Sequence, residues 1–140
     1  MEESIREAFE LEAARPASVP VLSLAYLGDA VFALVLRTVL LEQEGGKNGA
    51  LHQRTLPYVS AVGQARMAEG LQPFLSEEEA AVYRRGKNAK PEHGAKNASS
   101  LEYHRATGLE ALIGSLYLEG KTDRILELIR KGMPYAVRKD

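Results

Sequence analysis

The sequence predicts an all-α fold, on three observations. An apolar run from Val21 to Leu41 holds only two charged residues, Asp29 and Arg37, and has the length of one long helix. A second apolar stretch from Thr107 to Leu118 reads the same way. Elsewhere Ser and Asn starts and Gly stops punctuate the chain at helical lengths, and there is neither a convincing strand nor an internal repeat.

In chain order, residues 2–14, rich in Glu and Ala, predict an amphipathic helix ended by Arg15-Pro16. Residues 15–20 form an extended linker, because proline restricts both itself and its predecessor. The long apolar helix follows and closes at Gly45-Gly46. Asn48 can cap a short helix carrying Leu51, His52 and Leu56 that ends near Pro57, and Ser60 can cap a helix over 61–70. Ser76-Glu77-Glu78-Glu79 is a capping box opening a helix to about Arg85. Residues 86–98 lack apolar periodicity and read as an exposed loop. Ser99 or Ser100 leads into the second apolar helix, which ends at Gly120. Thr122-Asp123 starts a last helix with Ile125, Leu126, Leu128 and Ile129 inward.

At 140 residues the chain reads as one domain, 1–140, large enough to bury about 70% of its unfolded surface. The absence of Cys excludes a disulfide framework and a thiolate metal site. Met1-Glu2-Glu3-Ser4 lacks the basic start and apolar core of a secretory signal, so a cytoplasmic location is expected. The run from Val21 to Leu41 is long enough to raise a membrane span, but Asp29, Arg37 and the small residues beside Asp29 favour a buried helix of a soluble protein.

Two acids stand out. Counting three, four and seven residues from Asp29 gives a face of Leu22, Ala25, Tyr26, Phe32, Ala33 and Leu36. A carboxylate in that stripe costs several kcal/mol, roughly, unless a cation or several donors meet it. The adjacent Gly28 costs about 1 kcal/mol of helix propensity, which close approach of another backbone would offset. The same count from Glu110 gives Tyr103, Ala106, Thr107, Ile113, Gly114 and Tyr117. Two such helices packed together would join two carboxylates, which do not both stay ionised without a cation between them. Mg²⁺ is the simplest such cation. The alternative for Asp29 is a structural acid paired with Arg37, Arg54 or a helix N-terminus.

Net charge is −1, but Arg84, Arg85, Lys87, Lys90 and Lys96 against the single acid Glu92 give the segment 84–96 a charge of +4, leaving −5 on the remainder. A basic edge on an acidic body suits a polyanion, and a solvated surface segment is the competing reading. His52, His93 and His104 have no ligand spacing, Ser60 and Ser115 have no nucleophile elbow, and no phosphate-binding glycine loop is present.

Leu24-Ala25-Tyr26-Leu27-Gly28-Asp29-Ala30-Val31 resembles the signature helix of the ribonuclease III catalytic domain, and Glu110-Ala111-Leu112-Ile113-Gly114 resembles its second active-site helix. The chain is most similar to Mini-III ribonucleases, which have no double-stranded-RNA-binding domain. The similarity spans about residues 20–130 and includes Arg84-Arg85-Gly86-Lys87-Asn88-Ala89-Lys90. The resemblance implies a Mg²⁺-dependent endoribonuclease for double-stranded RNA with Asp29 and Glu110 as catalytic metal ligands. It further implies 5′-phosphate and 3′-hydroxyl products, the 23S ribosomal RNA precursor as substrate, and a symmetric homodimer. Arg84, Arg85, Lys87, Lys90 and Lys96 become the RNA-contact candidates. Larger ribonucleases III carry two further carboxylates at positions matching Ala25 and Thr107. The number of metal ions and the need for a ribosomal protein to present the substrate stay open. Thr107 either acts through water or packs helices. The competing classes are a non-catalytic RNA- or ribosome-binding module and a helical protein-interaction domain.

Overall fold

α6 (Leu101–Leu118) is the helix around which the others gather. Ten of its residues between Ala106 and Leu116 are buried, on every side of the helix, which requires neighbours all round. The computed structural model describes residues 1–45, 48–90 and 100–137. Among these, the other helices are α1 (Glu2–Phe9), α2 (Val21–Glu44), α3 (Asn48–Val59), α4 (Ala61–Leu71), α5 (Glu77–Lys87) and α7 (Thr122–Ala136), with short 3-10 turns at Pro16–Ser18 and Gln72–Phe74. No strand occurs among the described residues. α2, α4, α5 and α7 all pack on α6, and α3 fills the angle between α2 and α4. Phe32 and Leu36 of α2, Met67 and Leu71 of α4, Leu112 and Ile113 of α6, and Leu128 of α7 meet in one core.

The polar signals act as expected. Ser60 Oγ accepts the Gly63 N–H at 3.1 Å, and Ser76 and Glu79 form the reciprocal capping box. Ser100, rather than Ser99, caps α6 by accepting the Tyr103 N–H. Gly45 closes α2 at φ 78°, the left-handed conformation that glycine adopts without strain. Arg124 ties α7 to the start of α5. Its Nε and Nη2 each donate to Glu79 at 2.8 Å, and Nη2 also donates to the Phe74 carbonyl. That guanidinium, helped by Ser76, holds the Glu79 carboxyl below its usual range.

Several boundaries differ from expectation for physical reasons. α1 stops at Phe9 because Glu10 turns left-handed (φ 54°), short of the predicted end at residue 14. α3 runs through Pro57 to Val59, since proline removes only its own N–H bond and the following turn still closes, with the Ser60 N–H on the Leu56 carbonyl. α5 continues to Lys87, so Arg84–Lys87 are helical and only the rest of the predicted basic loop lies beyond it. Gly86 does not stop the helix: it is buried, and a Cβ there would lie 2.8 Å from the Ala111 Cβ. Ile125, Leu128 and Ile129 face inward as predicted, but Leu126 is exposed.

α2 is long and apolar enough, by length and composition, to cross a membrane. In the fold it buries a narrow stripe at four-residue spacing, Leu24, Gly28, Phe32, Leu36 and Leu40, against the other helices. Asp29 stands at the rim of that stripe and is exposed, which corrects its expected place within a continuous apolar face. Tyr26, also assigned to that face, is 84% exposed.

Candidate active site

α2 and α6 cross at a pair of glycines. A Cβ on Gly28 would lie 1.7 Å from the Glu110 carbonyl oxygen, and one on Gly114 would lie 2.0 Å from the Leu24 carbonyl oxygen. Each helix therefore presents bare backbone to the other, and no larger residue fits at either position. This close approach offsets what glycine costs within a helix.

The crossing decides where the acids go. Asp29 follows Gly28, and Glu110 supplies the carbonyl that Gly28 meets, so the two side chains leave facing helices at the same level. Their carboxyl groups come within hydrogen-bonding reach of each other. Burial first, then the proton shared with Asp29 and the Asp29 charge, push the half-buried Glu110 carboxyl up to about 8. The pair can lose its second proton near neutral pH only if positive charge arrives.

Gln64 of α4 completes this corner. Its side chain approaches the Glu110 carboxyl and favours the ionised form. The approach falls outside normal hydrogen-bond geometry, because the buried Nε2 has no hydrogen-bond partner among the described groups. Gln64 was not among the residues singled out from the sequence. The signal was present: Gln64, Met67, Ala68 and Leu71 share one face at helical spacing, with a carboxamide in an apolar stripe.

The other candidates fall in different places. Thr107 is buried and donates its hydroxyl proton to the Tyr103 carbonyl at 2.9 Å, so that donor is spent within the helix. Ala25, at the position where larger ribonucleases III carry a further carboxylate, is buried beside Ala111. The last turn of α5 meets the same turn of α6 that carries Glu110, because Gly86 packs on Gly108 and Ala111. Arg84 and Arg85 are exposed there, Lys87 is half-buried, and Lys90 just beyond the helix is exposed. Lys96 and His93 lie outside the described residues.

Chemically, the crossing offers two hard oxygen donors, one of them open to solvent. Among the described residues no group of three or more His, Cys, Asp or Glu side chains gathers around one point. A cation held here would take its remaining ligands from water or from a phosphate-bearing substrate.

Comparison with known proteins agrees with this geometry. The family profile described as the ribonuclease III domain matches residues 22–121, a span that includes α2, α6 and their crossing. The Mini-ribonuclease 3 of Symbiobacterium thermophilum is 42% identical over 125 residues, covering 89% of this chain and 96% of the relative. That of Brevibacillus brevis is 46% identical over 110 residues, covering 79% and 82%. A crystal structure of a Fusobacterium nucleatum protein superposes with a TM-score of 0.70 at 32% identity, covering 81% of this chain and 90% of that one. An all-helical body, two acids joined at a glycine crossing and relatives matched over most of their length lead to one assignment: the chain belongs to the ribonuclease III family, within its Mini-ribonuclease 3 group, and is an endoribonuclease.

Proposed function

We propose that this endoribonuclease hydrolyses double-stranded RNA with Mg²⁺ held by Asp29 and Glu110. The observation that carries the reading is the meeting of those two carboxyl groups, with Glu110 protonated up to about pH 8. The donor set fits Mg²⁺, which prefers oxygen ligands and needs only one or two protein carboxylates when waters and phosphate oxygens fill the octahedron. When bound, Mg²⁺ would stabilise charge on the scissile phosphate and lower the pKa of the attacking water. The chain's own part is positional. The glycine crossing fixes the spacing of the two acids, and the exposure of Asp29 leaves the pair open to a phosphodiester backbone. Thr107 keeps oxygen lone pairs that can accept a hydrogen bond from water.

The basic turn supports an RNA-binding face. Arg84, Arg85, Lys87 and Lys90 form the positive edge that phosphates would meet, beside the turn of α6 that bears Glu110, and Lys96, outside the described residues, is a further candidate by charge alone. A-form RNA is read largely by shape and 2′-hydroxyls, which a basic surface on the catalytic domain can contact. The similarity to Mini-III ribonucleases favours the 23S ribosomal RNA precursor, a cytoplasmic substrate. The outward face of α2, with Tyr26, Leu34 and Leu41 exposed, supports a homodimer that covers it.

The test is incubation of wild type and Asp29→Asn with a labelled RNA duplex, in Mg²⁺ or in EDTA. Discrete cuts are expected only with wild type in Mg²⁺. Full-rate cleavage by a folded Asp29→Asn protein would overturn the assignment. In EDTA, the double variant Arg84→Ala/Arg85→Ala should still bind duplex, with the slope of log K against log salt smaller by about 2. An unchanged slope in a filter-binding titration would remove this turn from the interface.

A further inference from the structure

A carboxamide has no packing reason to occupy the Gln64 position. The side chain is 2% exposed, on the face of α4 that Met67, Ala68 and Leu71 bury, and its Nε2 has no hydrogen-bond partner among the described groups. An unpaired buried amide is destabilising, and a methionine of similar length would avoid that cost. The position is also rigidly held. The Gln64 N–H bonds to the Ser60 carbonyl at 2.9 Å, and Gly63 lies so close to α3 that a Cβ would sit 1.8 Å from the Pro57 carbonyl oxygen. Beyond it, Glu69 pairs with Arg105 and ties α4 to α6. The amide that all this holds in place adjoins Glu110.

We propose that Gln64 is a positioning residue of the metal site: when the metal is held, its Nε2, unpaired in the metal-free protein, donates to the Glu110 carboxylate and fixes the orientation in which that carboxylate, with Asp29, receives Mg²⁺. The inference rests on the metal reading above. A neutral donor suits the task. Lysine or arginine would neutralise the acids and compete with the cation, and a third carboxylate could not donate. Groups that orient a metal-ligating side chain typically change metal affinity 10–100-fold, roughly, when lost.

The experiment compares Mn²⁺ binding at pH 8 by electron paramagnetic resonance in wild type, Gln64→Met, Gln64→Asn and Asp29→Asn, together with the melting temperature of each in EDTA. Gln64→Met is expected to bind Mn²⁺ about 10–100-fold more weakly while melting no lower than wild type. A merely structural glutamine predicts the reverse, a lower melting temperature and unchanged affinity. Gln64→Asn keeps the amide but withdraws it by one methylene, and should also lose affinity; it serves if the methionine variant folds poorly. Mn²⁺ binding that Asp29→Asn loses and both Gln64 variants keep would overturn this inference alone. Equal binding by wild type and Asp29→Asn would overturn the metal reading, and the inference with it.

Discussion

Glu110→Gln is expected to abolish cleavage and, in metal-free protein at pH 8–9, to raise the melting temperature by roughly 6–8 °C. The stabilisation follows from the direction of the Glu110 shift. Its carboxyl is raised from 4.5 in the unfolded chain to about 8 in the folded one, chiefly by burial and secondarily by Asp29. Between those two values the folded state holds a proton that the unfolded state has released, so folding stability falls as pH rises through the window. Below about pH 4 both states are protonated and no penalty exists. Glutamine has the same shape and no titration, so wild type and variant should melt together at pH 4 and diverge up to pH 8. By pH 9 the undiminished shift would open a gap of about 5 kcal/mol, which solvent screening of the half-buried carboxyl reduces to about 2 kcal/mol. Millimolar Mg²⁺ should narrow the gap by stabilising wild type alone. Cleavage should fall by more than about 100-fold, the upper range for groups that act only through a metal ligand. Melting curves from pH 4 to 9 in EDTA and in Mg²⁺ decide the matter. Parallel pH profiles for the two proteins would mean that Glu110 does not carry the strain assigned to it.

That strain separates the candidate site from the rest of the fold. Elsewhere opposite charges pair at the surface, as Arg124 does with Glu79 and Arg105 with Glu69. At the crossing two acids are forced together, Glu110 keeping its proton to about pH 8, and a buried amide beside them makes no regular hydrogen bond. A domain selected for stability alone would replace all three. Their joint presence where α2 and α6 touch through bare backbone is what a site built to receive a cation would require.

How much of this was legible in the sequence depended on how local each cause was. Ser60 and Ser76 announced their helices because a cap is set by neighbours three residues away. Gly28 was readable as a close-approach position, since a helical glycine beside an acid asks for an explanation, whereas Gly114 stood only as a small residue on the Glu110 face. Gly86 misled for the same reason in reverse. Glycine before a basic, aperiodic run looks like a helix end, and only packing on Gly108 and Ala111 shows that the helix continues. The exposure of Asp29 was also beyond the sequence. In a stretch apolar on most sides, spacing alone does not say which arc meets α6, and Tyr26 was assigned inward on that count. Gln64 carries no charge to mark it, and only the helical spacing it shares with Met67, Ala68 and Leu71 sets it on a buried face.

Gly28→Ala should damage fold and function together. The added methyl would lie 1.7 Å from the Glu110 carbonyl oxygen, 2.7 Å from its carbon and 2.8 Å from the Gly114 nitrogen, all backbone atoms that no rotamer change can clear. Relief requires α2 and α6 to move apart along a contact that the whole core shares. Alanine gains about 1 kcal/mol of helix propensity over glycine. Overpacking typically costs about 1–3 kcal/mol, and a clash with rigid backbone belongs at or beyond the top of that range, so the net effect is destabilising. Gly49→Ala is the control. Gly49 is also helical, but no atom lies within 4 Å of its added methyl, so its melting temperature should hold or rise slightly. The functional consequence is separate. Even in the folded fraction, widening the crossing draws Asp29 away from Glu110, so cleavage at a temperature well below melting should fall further than the folded fraction does. The separation should also return the Glu110 carboxyl toward its ordinary range, flattening the pH dependence of stability predicted for wild type. A Gly28→Ala protein that melts within a degree of wild type and cleaves at the same rate would show that this crossing does not hold the two acids together.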